Sequence, residues 1–218
     1  MILYSYFRSS AAYRARIVCE LKGLKPEYRF VHLVKGGGHQ HSLEYRELNP
    51  HGRVPFLIDT TPTGEVRIGQ SLAIAEYLEE THPTPALLPA DAAGRARVRS
   101  IALTIAADMQ PLQNLSVTQY LEKQFKLDQP TRDQWVVHWM ENGLGAVETM
   151  LKRDAATGRF CHGDAPTLAD CCVVPQLFAA RRFGVDLTRY PTLLRIEAEC
   201  QQLDAFQRAA PGNQPDAE

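Results

Sequence analysis

The chain has 218 residues, a formal net charge of −1, and 44% hydrophobic against 22% charged residues. Such a composition belongs to a soluble globular protein with enough chain for one large core or two small ones. It gives no electrostatic case for nucleic acid or an anionic membrane surface, and no apolar run reaches a membrane span. The start lacks a signal peptide's basic-then-apolar order, so the expected location is the cytosol.

Met1-Ile2-Leu3-Tyr4-Ser5-Tyr6 is rich in β-branched and aromatic residues and reads as a strand. From Arg14 the apolar positions Ile17, Val18, Leu21 and Leu24 recur at helical spacing, with Gly23 near the helix's end. Residues 28–34 read as a second strand, followed by the Gly36-Gly37-Gly38 loop and a short polar helix over 43–48. Residues 54–58 and 65–68 form a hairpin around Thr61-Pro62-Thr63-Gly64, and a helix starts near Ser71. Composition changes at His82-Pro83-Thr84-Pro85, a stiff linker; beyond it the periodic segments are helical, at 93–122, 131–153, 167–183 and 191–209. The fold class is therefore α/β plus all-α. It places an N-terminal domain over 1–82 with a mixed four-stranded sheet, a linker over 83–92 and a C-terminal helical domain over 93–218.

Between the first strand and helix lie Arg8, Ser9 and Ser10. A helix's first turn leaves free N–H groups and a partial positive charge, which favour an anion or thiolate; a serine there is also an ordinary N-cap. Gln70-Ser71 opens the third helix in the same way. Pro55 belongs at a strand start, an edge or a cis turn, and a cis Val54–Pro55 bond would turn the Val54 N–H and C=O toward a peptide-like ligand. The five cysteines are odd in number and show no C-x-x-C spacing, so buried reduced thiols are expected. His39 and His41 have no cysteine or acid at ligand spacing, and no metal is expected. Thr167-Leu168-Ala169-Asp170 is a capping-box pattern, which makes Asp170 a structural cap rather than a catalytic acid.

The segment Asn49-Pro50 through Val54-Pro55, followed by Gln70-Ser71, resembles the thioredoxin-like half of a glutathione transferase. Residues 4–17, with Arg8-Ser9-Ser10 and Arg14-x-Arg16-Ile17, are similar to the zeta-class signature S-S-C-x-W-R-V-R. Gln110-Pro111-Leu112-Gln113-Asn114-Leu115-Ser116 is typical of maleylacetoacetate isomerases, and Tyr190-Pro191 and the closing Gln214-Pro215-Asp216 also fit. The resemblance covers nearly the whole chain. It implies glutathione as cofactor, with Ser9 and Ser10 near its sulfur, Gln40 and Val54 on its backbone and Gln70 and Ser71 on its γ-glutamyl carboxylate. Gln110 and Asn114, four apart on a helix face, and the nearby Ser116 join them. It further implies a homodimer, and a small unsaturated dicarboxylate substrate held by Arg8 and by Arg182 or Arg181.

The implied reaction, in aromatic amino-acid catabolism, is cis–trans isomerisation of maleylacetoacetate by reversible thiolate addition. Maleylpyruvate isomerase is the near alternative, but such enzymes tend to carry extra arginine where this chain has Leu115-Ser116. A general glutathione transferase and a non-catalytic glutathione-binding module are the other readings. Where the zeta signature has cysteine and tryptophan, this chain has Ala11 and Tyr13. Loss of that cysteine argues against reductive dehalogenation and leaves isomerisation intact.

Overall fold

A computed structural model describes residues 1–218, which divide into two compact units. One comprises residues 1–86 together with 202–218, the other residues 87–201. The last seventeen residues thus leave the helical domain expected over 93–218 and fold with the first unit.

In the first unit, β1 (Ile2–Ser5), β2 (Glu27–Phe30), β3 (Phe56–Thr61) and β4 (Gly64–Gly69) form a sheet in the order β2-β1-β3-β4. β1 and β2 are parallel and the remaining pairs antiparallel, the mixed sheet expected from sequence. The second strand ends at Phe30 instead of Val34. Beyond it the His32 ring accepts the backbone N–H groups of Val34 and Lys35, at 3.1 and 2.8 Å, so a sheet partner cannot take them. The third strand starts only after Pro55, which has no N–H to give the ladder.

Helix α1 (Ser10–Leu21) is buried along Ala12–Cys19 because α3 (Ser71–Thr81) and α9 (Asp204–Ala209) both pack on it. Two arginines lie within this buried stretch, and a buried cation requires polar partners. Lys22 meets the same demand just beyond the helix: its Nζ donates to Glu79 Oε2 at 2.6 Å and to the carbonyls of His82 and Pro85 at 2.7 and 2.8 Å.

The second unit contains α4 (Ala92–Leu103), α5 (Leu115–Phe125), α6 (Gln129–Arg153), α7 (Leu168–Arg182) and α8 (Pro191–Gln201). None of the helices is long and apolar enough to cross a membrane. The helix expected over 93–122 is broken: α4 passes into a π-helical turn over Thr104–Met109, and α5 starts afresh at an Asn114 cap. Met109 fills the place a side chain at Gly143 would need, its Cε lying 2.3 Å from the position of a Cβ there. The expected 191–209 helix is likewise two, α8 and α9.

Helix α7 is buried over most of its length, and Asp170 in its first turn is fully enclosed. The Asp170 carboxylate accepts from the Cys161 N–H at 2.8 Å and from the Thr167 N–H and hydroxyl, both at 2.7 Å. Burial raises its pKa against those hydrogen bonds. The side chain ties a loop to a helix start, as the capping-box pattern implies. Asp170→Ala should lower unfolding stability by about 1–3 kcal/mol in urea, since it orphans buried donors. An unchanged midpoint with collapsed turnover would contradict this structural role.

Candidate active site

The chain leaves β1 through a tight turn, in which the Ser9 N–H donates to the Tyr6 carbonyl at 3.0 Å. Ser9 is the N-cap of α1, its Oγ accepting the Ala12 N–H at 3.2 Å. Ser10 is the first helical residue, half-buried, and its hydroxyl makes no hydrogen bond within the fold. The two serines therefore differ: one holds the helix start, and the other presents an open donor beside its N–H groups. Arg8 is exposed, and its Nε and Nη2 donate to the Tyr6 hydroxyl at 3.3 and 3.1 Å. Its guanidinium carbon also lies 5.3 Å from the Phe7 ring centre. These partners are uncharged, so a carboxylate would displace them readily.

Gln70 has φ 68°, an unusual backbone for a side-chain-bearing residue, and caps α3. Ser71 follows, only 4% exposed, and its Oγ accepts from Arg14 Nε at 2.9 Å. A buried arginine directed at a helix N-terminus has the charge and donors to receive a carboxylate. Sequence reasoning included Arg14 in the signature but gave it no role at the site. Its signal was a charge embedded among Ala12, Ala15 and Ile17.

Tyr4 pairs with Phe56, so residues 6–7 and 54–55 leave the sheet at the same end. The Val54–Pro55 bond is cis, and the Val54 N–H and C=O have no hydrogen-bond partner within the chain. The preceding Arg53 carbonyl is held by Tyr45 Oη at 2.7 Å and Asn49 Nδ2 at 2.8 Å, which explains the asparagine of that motif. Gln40, 5% exposed, donates from Nε2 to the Leu33 carbonyl at 3.2 Å, while its buried Oε1 has no partner. Gly38, at φ 97°, leaves the room this amide occupies; a Cβ there would lie 2.4 Å from Gln40 Nε2.

The polar residues expected from the helical domain are placed differently from expectation. Gln110 ends the π-helical turn, whereas Asn114 caps α5 and accepts from the Ser116 N–H and hydroxyl at 3.0 and 3.1 Å. The break between α4 and α5 removes the shared helix face. What sequence reasoning missed is Gln113, joined to the fully buried Gln176 by two amide hydrogen bonds of 2.7 and 3.2 Å. Arg181 is committed to Glu197 through both nitrogens, Nη1 donating to Oε1 at 2.6 Å and Nη2 to Oε2. That bond raises its pKa. Arg182 lies over the Phe183 ring, 5.7 Å from its centre.

All five cysteines are buried, as expected. Burial pushes the Cys19 thiol up to about 12 and also raises Cys161, Cys171 and Cys200. Cys19 shares α1 with Ser10 but is fully buried nine residues further along the helix, and the other four lie in the second unit.

Comparison with known proteins agrees with this geometry. Residues 3–86 match the N-terminal domain and residues 129–205 the C-terminal domain of glutathione S-transferases. The maleylacetoacetate isomerase of Mus musculus is 46% identical over 216 residues, 99% of this chain and 94% of the mouse protein. The holo structure of a bacterial zeta-class maleylpyruvate isomerase superposes with a TM-score of 0.94 at 46% identity, covering both chains fully. Maleylacetoacetate isomerase from Anaeromyxobacter dehalogenans, with glutathione in its active site, gives 0.90 at 47% identity, covering 100% of this chain and 97% of that one. With dicarboxyethyl glutathione and citrate bound, it gives 0.88 at 45% over 99% and 96%. The chain belongs to the glutathione S-transferase family, and within it to the zeta class of maleylacetoacetate and maleylpyruvate isomerases.

A thiol-specific reagent should find no reactive cysteine in the native protein and five after unfolding. A fast-reacting native thiol would contradict the burial.

Proposed function

We propose that this protein converts maleylacetoacetate to fumarylacetoacetate, with glutathione as a regenerated cofactor. It is a glutathione-dependent isomerase, and the choice of substrate within the maleylacetoacetate and maleylpyruvate class is the proposal. The observation that carries the reading is the open Ser10 hydroxyl at the α1 N-terminus, next to Arg8, on a helix whose one thiol, Cys19, is fully buried.

The residues present fit glutathione. Gln40 Oε1 is a buried acceptor without a partner, the Val54 peptide groups are unpaired, and Arg14 with Ser71 forms a carboxylate cradle at α3. When bound, glutathione supplies the thiolate that adds reversibly to the cis double bond, so that rotation can occur before it leaves. The Ser10 hydroxyl and the N-terminal N–H groups of α1 favour thiolate over thiol. Ser9 keeps those groups in place as the cap and can donate its own proton to the sulfur. Gln70 and Ser71 orient the γ-glutamyl end together with Arg14. Arg8 anchors a substrate carboxylate through its fork.

Of the second-arginine candidates, Arg182 is proposed first because the resemblance places it at the family's charged position, with Arg181, which holds Glu197 through both Nη groups, as the other. Gln110, Asn114 and Ser116 remain proposed contacts from the helical unit, Asn114 and Ser116 already bonded to each other. Leu115 and Ser116 put no arginine at the start of α5, which supports maleylacetoacetate over the shorter maleylpyruvate. A homodimer belongs to the same proposal on the strength of the sequence resemblance.

Purified protein with limiting glutathione should turn over maleylacetoacetate faster than maleylpyruvate; equal rates would defeat the preference. Ser10→Ala should keep the fold and lose turnover by about 10²-fold or more, the scale of one lost charge-stabilising donor. Full activity in that variant would return Ser10 to a purely structural place.

A further inference from the structure

The C-terminal segment is bonded to the loop that carries the candidate catalytic residues. Asp216, two residues from the chain's end, accepts the Phe7 N–H on Oδ2 at 3.0 Å, across 209 positions of sequence. Phe7 immediately precedes Arg8-Ser9-Ser10. Its carbonyl is held from the other side by Arg16 Nη2 at 3.0 Å, while Arg16 Nη1 takes the Tyr6 carbonyl at 3.3 Å. Arg16 Nε donates to the Ala209 carbonyl at 3.0 Å, so the same guanidinium grips the returning chain. Asp216 lies close enough to Arg16 for their charges to interact. Its Oδ1 is buried without a hydrogen-bond partner, which leaves Oδ2–Phe7 as the bond it makes. Two residues further out, Glu218 pairs with Lys35, and its carboxylate lies 3.3 Å from His32 Nε2.

We propose that Asp216 is a positioning residue: by holding the Phe7 peptide it sets where the Ser9 and Ser10 hydroxyls and the α1 N-terminus meet the glutathione sulfur. The inference rests on the glutathione site proposed above. Asp216 acts through backbone and touches neither cofactor nor substrate. Arg16 and the Ser9 N–H hold the Tyr6 carbonyl, and Arg16 holds the Phe7 carbonyl; without Asp216 the Phe7 N–H has no partner, and the loop can tilt about the remaining contacts. Small displacements at a thiolate site are costly, because hydrogen bonds to a developing charge depend steeply on distance.

The test compares the parent protein with Asp216→Asn and Asp216→Ala, following glutathione thiolate by its ultraviolet absorbance as pH is varied. Asparagine still offers Phe7 a carbonyl oxygen and should titrate like the parent. Alanine should shift thiolate formation upward by about one pH unit and reduce kcat/KM for glutathione by roughly tenfold, while circular dichroism stays unchanged. A variant shortened after Gln214 should match the alanine protein. Thiolate in the parent with an unshifted Asp216→Ala titration would overturn the positioning role alone, as would equal impairment by asparagine. No bound thiolate in the parent would overturn the glutathione site and this inference together.

Discussion

Arg16 lies in the middle of a helix covered on several sides, 1% exposed, with no carboxylate on its nitrogens. Burial lowers its pKa to about 10, which still leaves it charged at neutral pH. A cation in that position is tolerable only when its donors are spent on good acceptors. The acceptors are the Ser5 hydroxyl at 3.1 Å and the carbonyls of Tyr6, Phe7 and Ala209. Satisfying one buried charge thus fixes the end of β1, the turn before α1 and the returning C-terminal segment. The site grows from that turn.

Other buried or half-buried charges are likewise spent on architecture. Lys22 gathers Glu79 and two carbonyls, Glu148 accepts both N–H groups at the start of α8 at 3.0 Å, and Arg97 holds Asp154 and the Cys161 carbonyl, each at 2.6 Å. Asp170, the most enclosed carboxylate, caps a helix. By contrast Arg8 rests on a phenol and an aromatic face, and Ser10 on nothing in the fold. Arg8, Ser10 and Gln40 Oε1 keep weak or missing internal partners, a pattern that fits the site proposed for a thiol and a carboxylate.

Much of this was legible in the sequence because it is local. Alternating and helical periodicities placed all four strands, the second of them four residues too long, and the helices of residues 1–86, but not α9 as a part of the first unit. The serines, Gln70-Ser71 and the capping pattern around Asp170 are short signals that the structure repeats. What was not legible depends on distant partners. The π-helical break after α4 relies on Met109 meeting Gly143, thirty-four residues on. Arg14 reaches a serine 57 positions away, and Arg16 a carbonyl 193 away. Single side chains hold the polar tail, so it has no periodicity to betray that it folds back on the first unit.

The central claim is that the nucleophile is borrowed and the chain's residues only prepare it. Isomerisation of maleylacetoacetate measured with S-methylglutathione in place of glutathione tests this most directly, since the analogue can fill the same cradle but has no thiol. The account predicts turnover with glutathione, none with the analogue, and competitive inhibition when both are present. Isomerisation sustained by S-methylglutathione would show that a group on the protein itself attacks the substrate, and would contradict the account.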